Sequence, residues 1–207
     1  MWARLESDTI EEILTRPKAL TIGGIQYPSN IFSMWTNSEL AEIGIVPLTM
    51  DYTNRKDFKY YINTQVTYAY NAETKEATGS YGTATALPIA DTLFTAQDET
   101  DGLGTEGEVK AKGLKSQHKI DINLQAASLL QHTDWMVIRA AEGGTAVPSN
   151  ITTKRAAVRT KANAMCVQID AAADVDALAA LYVYTNTGTE ENPVYTRPLG
   201  ELPTVGE

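Results

Sequence analysis

The sequence predicts an α+β protein: a β-rich N-terminal domain of short antiparallel strands with one helix, then a C-terminal helical hairpin module with a short β return. Three observations carry this. The first third alternates apolar and polar residues between turn signals such as Ser7-Asp8 and Gly23-Gly24. Residues 133–169 hold two helical patterns facing each other across a glycine-proline link. Between these regions, residues 97–107 (QDETDGLGTEG) are acidic and glycine-bearing and read as a linker. The expected domains are therefore 1–96, the linker 97–107, and 108–207.

The N-terminal elements follow in order. Trp2, Arg4, Ile10 and Ile13 flank Ser7-Asp8, so strands near 2–6 and 9–15 form a hairpin that Pro17 ends. The run LTIGGIQY gives a second small hairpin around Gly23-Gly24. Residues 31–44 read as helical. Thr36 and Glu39 have the spacing of a capping box, Leu40 and Ile43 give the buried side, and Gly44 suits the exit. A short strand from Ile45 to Leu48 is limited by Pro47. The tyrosine-rich stretch 59–69 and the threonine-alanine stretch 77–90 add strands with few large apolar residues, a solvated sheet face or a binding face.

In the C-terminal half, residues 108–131 read as helical, with Val109, Ile120, Leu124, Ala127 and Leu130 on the apolar side. Thr133 and Asp134 are side-chain acceptors placed to start a short new helix at Trp135. Gly143-Gly144 supplies its exit. After Pro148, Ser149 can cap a longer helix whose face carries Ile151, Val158, Ala162, Met165, Cys166 and Ile169. Asp174 caps a further short helix with Val175, Leu178 and Leu181 inside. Strands near 182–184 and 194–196 form the β return. Pro198, Pro203 and Gly206 suggest a loose tail.

Composition narrows the function. Of 207 residues, 43% are hydrophobic, enough for a core, and the net charge is −9. That acidic balance argues against nonspecific nucleic-acid binding, which needs lysine and arginine to displace counterions. No run approaches the roughly 20 apolar residues that span a bilayer. The single cysteine, Cys166, reads as a small core residue. The N-terminus lacks the basic and apolar regions of a signal peptide, so synthesis and folding in a cytoplasm are expected.

Little in the chain suggests chemistry. His118 reads as an exposed helix residue and His132 as a surface or capping residue, and neither has a ligand at metal spacing. The carboxylates Asp98, Glu99 and Asp101 do not fit the calcium-loop register with Gly102. Asn150-Ile151-Thr152 matches a glycosylation acceptor and is better explained as a helix start. No nucleophile elbow, phosphate loop or dinucleotide fingerprint occurs, so no enzyme activity, metal or cofactor is expected.

Residues 129–159 read L-L-x-x-T-D-W-x-V-I-R-x-x-E-x-G-x-x-V-P-x-x-I-x-x-x-R-x-A-V-R. The matching positions are Leu129, Leu130, Thr133, Asp134, Trp135, Ile138, Arg139, Glu142, Gly144, Val147, Pro148, Ile151, Arg155, Val158 and Arg159. This string resembles the C-terminal module of phage tail assembly chaperones and tail-fibre assembly proteins. Lys154 departs from it, standing where the family often has an aromatic residue. More loosely, M-W-A-R and I-G-G-x-x-Y-P-x-N-I-F-S-M-W are similar to the start of marine phage tail proteins.

The resemblance implies binding to a tail fibre or baseplate protein in the infected host's cytoplasm. The chain then acts as an assembly chaperone or stays as a permanent virion component of the tail. A homo-oligomer is a further possibility. The candidate partner-binding residues are Trp135, Arg139, Arg155 and Arg159. Trp135 alternatively anchors the two helices to each other. The arginines either pair internally with Asp134 and Glu142 or reach a carboxylate on the partner.

Overall fold

The computed structural model describes residues 1–204 and divides into two compact units, Met1–Thr85 and Ala86–Glu207. The division falls before the expected boundary at 96. Among the described residues, no helix is long and apolar enough to cross a membrane.

In the first unit, β1 (Trp2–Glu6) and β2 (Thr9–Leu14) pair antiparallel around Ser7 and Asp8. Both turn residues take left-handed φ, 49° and 61°, the geometry whose twist matches a two-residue hairpin. β3 (Leu20–Ile22) and β4 (Ile25–Tyr27) form the second hairpin around Gly23-Gly24. The helical stretch is split into α1 (Ile31–Met34) and α2 (Asn37–Glu42). The split lies where Thr36 takes extended backbone to cap α2, and the capping box with Glu39 is complete.

β5 (Ile45–Asp51) runs past Leu48, and it pairs with β1 through residues 45–47. From Leu48 onward it pairs with β8 (Glu76–Tyr81). Pro47, which has no N–H to give, sits where the strand changes partner. The β5–β8 pair is parallel, so the sheet is mixed and not purely antiparallel as expected. Its order is β2-β1-β5-β8-β7, with β7 (Val66–Asn71) at the edge; β6 (Tyr61–Ile62) precedes it. Side chains alternate across β5. Ile45 joins Leu14, Leu20, Ile31 and Leu40 on one face. Val46 has its neighbour's opposite direction and joins Ala3, Leu48 and Ala77.

The chain enters the second unit through β9 (Thr85–Ala86). Residues 97–107 are not an unstructured linker. β10 (Thr92–Leu93) and β11 (Val109–Ala111) form a ladder, and α3 (Ala96–Thr100) lies within their connection. Thr95 and Asp98 form a second capping box, and Lys110 bonds the Asp98 carboxylate at 2.6 Å. Asp98, which does not fit a calcium-loop register, is thus the reciprocal partner of Thr95 in the cap of α3.

α4 (Leu114–Ala141) follows, and its start is satisfied from outside the helix. The Asp91 carboxylate accepts from the Gly113 N–H at 2.8 Å and the Ser116 hydroxyl at 2.9 Å. α4 then runs unbroken through Thr133 and Asp134, so the expected new helix start there is overturned. α5 (Ser149–Ala171) returns antiparallel, with Lys119–Asp170 bridging one end and Asp134–Arg155 the other. α6 (Val175–Ala180) is capped by Asp174 as expected. β12 (Thr185–Asn186) and β13 (Tyr195–Thr196) make the β return, slightly later than its expected first strand.

The tail is held at Leu199 and at Glu201, which pairs with Arg197. Leu199 is fully buried; its N–H donates to the Leu181 carbonyl and its own carbonyl accepts from the Lys161 ammonium. Gly206 lies outside the described residues.

Candidate interaction surface at the hairpin tip

The tip is built by two helices that must reverse direction in seven residues. Gly143 takes φ +84°, which ends α4, and the Gly144 N–H donates back to the Arg139 carbonyl at 2.9 Å. A Cβ on Gly144 would lie 2.8 Å from Arg139 Cγ, so the turn packs against that side chain. Pro148 then restarts the chain. Ser149 is the first residue of α5 and its hydroxyl does not cap it; the Pro148 carbonyl receives the first helical bond from Thr152.

Arg155 locks the two helices together. It is 9% exposed, and a buried guanidinium requires paired acceptors. Nη1 donates to the Leu130 carbonyl at 2.8 Å and to the Thr133 hydroxyl at 2.6 Å, while Nη2 donates to the Asp134 carboxylate at 2.7 Å. The Thr133 hydroxyl in turn donates to the Leu130 carbonyl at 3.0 Å. Thr133 and Asp134 therefore cap no helix start. They receive an arginine from the neighbouring helix.

Trp135 does not anchor the hairpin. It is 53% exposed, and the Arg139 guanidinium lies over its ring 4.9 Å from the centroid. The buried face of α4 consists of Leu114, His118, Ile122, Ala126 and Thr133, so the helix is rotated from the expected Ile120–Leu124–Ala127 face. His118 is buried, 3% exposed, with its ring 4.6 Å from that of Tyr182, against the expectation of a surface residue. On α5 the expected face holds: Val158, Ala162, Met165 and Ile169 are buried, with Ile151 and Cys166 half-buried. Burial pushes the Cys166 thiol above its ordinary range.

Of the four candidate residues, the fold brings Arg155 and Arg159 to one opening. Val137, Val147, Thr152, Arg155 and Arg159 line a hollow of about 260 Å³ at the tip. Val137 is 41% exposed and Arg159 is exposed. Trp135 and Arg139 belong to a different side of α4. Sequence reasoning missed Val137, Val147 and Thr152 as lining residues. A signal for the burial of Arg155 was present: residues 155, 158, 162, 165 and 169 follow a three-four repeat, which places an arginine at a seam position.

Among the described residues, no group of three or more His, Cys, Asp or Glu is placed to hold a metal ion. No family model, curated protein or solved structure matches the chain.

Proposed function

We propose that this chain is an interaction protein of a bacteriophage tail, acting as a tail-fibre assembly chaperone that holds its partner with the hairpin tip. The observation that carries the gripping role is the hollow lined by Val137 and Val147 together with the exposed Arg159. Apolar walls accept an aliphatic or aromatic side chain, and the guanidinium fork holds a carboxylate or carbonyl beside it. Arg155 lines the same hollow, with its Nη1 and Nη2 groups bonded to α4. The phage assignment rests on the string at residues 129–159.

Co-expression with the neighbouring fibre gene tests the reading. Soluble fibre yield is expected to depend on this chain and to fall with Val137→Asp combined with Arg159→Glu. A yield indifferent to the presence of the chain overturns the chaperone reading. Copy number in purified particles then decides between departure after assembly, with the chain absent, and a permanent baseplate or fibre part, with the chain stoichiometric.

A further inference from the structure

α4 is apolar on two opposite sides. At about 100° per residue, Ile120, Leu124, Ala127, Gln131, Trp135 and Ile138 fall within roughly 80° of arc. The buried residues His118, Ile122, Ala126 and Thr133 occupy the other side. The large members of the outward stripe lie in water: Ile120 is 36% exposed, Leu124 63%, Trp135 53% and Ile138 58%. The stripe runs about 27 Å along the helix. Residues 122–133 contain no lysine, arginine, aspartate or glutamate, although 21% of the chain is charged. Depletion of charge from an exposed apolar strip marks the centre of an interface. A helix apolar on both sides is one that is covered on both sides.

The ends of the stripe indicate what covers it. Asp121 and Arg139 lie on the same flank, near opposite ends, and neither forms an ion pair among the described residues. The Arg139 Nε is buried without an acceptor. We propose that the outward stripe of α4 is a homodimer interface in which two copies of the helix pair antiparallel, placing Asp121 against Arg139 of the partner subunit.

A two-fold axis crossing the Ala127–Gln131 turn makes the stripe complementary to itself. Ile120 meets the partner's Ile138, Leu124 meets the partner's Trp135, and Ala127 lies against the partner's Gln131. The small Ala127 at the centre allows axes to approach to about 8–10 Å. Because the symmetry is two-fold, the charge pair occurs twice. A parallel pairing would instead leave Asp121 and Arg139 of the partner subunit at opposite ends of the stripe, about 27 Å apart along the axis. This inference does not rest on the phage reading, and the hollow beside Arg159 is not on the stripe.

Sedimentation of the full chain across a concentration series reads the association. A species of twice the 22.5 kDa protomer is expected at micromolar concentration. Leu124→Glu should raise the dissociation constant at least about 100-fold with unchanged circular dichroism, since this side chain is exposed in the protomer. Asp121→Lys and Arg139→Glu should each weaken the dimer about tenfold, and the double exchange should restore it, because the opposite charges then meet again. A chain that stays monomeric up to about 0.2 mM overturns the interface. A double exchange as weak as its parents overturns the antiparallel register. If Leu124→Glu fails to fold, the exchange series decides alone. Leu124→Glu that abolishes dimerisation while fibre solubility still responds to Arg159→Glu separates this surface from the proposed function.

Discussion

The buried side of α4 carries His118, Ile122, Ala126 and Thr133, while the side in water carries Ile120, Leu124, Trp135 and Ile138. The exposed side is the more apolar of the two. Hydrophobicity therefore does not select which side of this helix turns inward. Specific polar contacts do. The Thr133 hydroxyl and the Leu130 carbonyl receive the buried Arg155, and His118 lies against Tyr182. These fix the rotation that apolar area alone leaves open.

The sharpest way to break this comparison is to truncate two residues that sit two positions apart. Ile122→Ala removes buried methyl groups and is expected to cost about 3 kcal/mol. Leu124→Ala, in dilute protein where no dimer persists, should stay within about 0.5 kcal/mol. Equal losses in chemical denaturation would mean that the outward side is packed within the protomer.

The same comparison marks what was readable in the sequence. The hairpins around Ser7-Asp8 and Gly23-Gly24, and the caps at Thr36 and Asp174, follow from local chemistry that leaves few alternatives, and they stand as expected. The α5 face was readable because its apolar positions fall on one side. The α4 face was not, because apolar residues surround the helix and two periodicities coexist. The Thr133-Asp134 pair misled for a related reason: a cap and a mid-helix acceptor for a distant arginine use the same side-chain oxygens. Residues 97–107 look like a linker in composition, yet Thr95 caps α3 and Lys110 pins it across the strand ladder. The string at 129–159 spans the hairpin tip. The hollow itself depends on how Val147 and Arg159 are brought beside Val137, which no local pattern encodes.

Arg155 and Trp135 sharpen the contrast at the tip. Arg155→Ala leaves the Thr133 hydroxyl and the Leu130 carbonyl without their charged donor, and is expected to cost about 2–3 kcal/mol. The solvent-screened Asp134 contributes the smaller part, as its side chain is half exposed. Trp135→Ala removes an exposed ring and its arginine stack, and should cost under about 1 kcal/mol in dilute protein. Thermal melts of the two variants check the order, and a larger loss for Trp135→Ala would restore the indole as the hairpin anchor.

The smallest expected effect concerns α3, far along the chain from the tip. The Asp98 carboxyl is held down to about 2, mainly by the Lys110 ammonium and then by the Thr95 N–H and hydroxyl. Its folded value lies below the ordinary 3.8, so the stabilisation is present above that value and is lost as pH falls from about 4 through 2. Fraying of α3 in acid should therefore track a carboxyl midpoint near 2 in an NMR titration, and Lys110→Ala should move that midpoint upward. α4 shares no ionised cap with α3; its own cap, Asp91, is likewise held below the ordinary range, by Ser116 and the Gly113 N–H. A midpoint for Asp98 near 3.8 would mean that the capping box and Lys110 do not hold residues 97–107 in solution. That segment would then behave as the flexible connection its composition suggests.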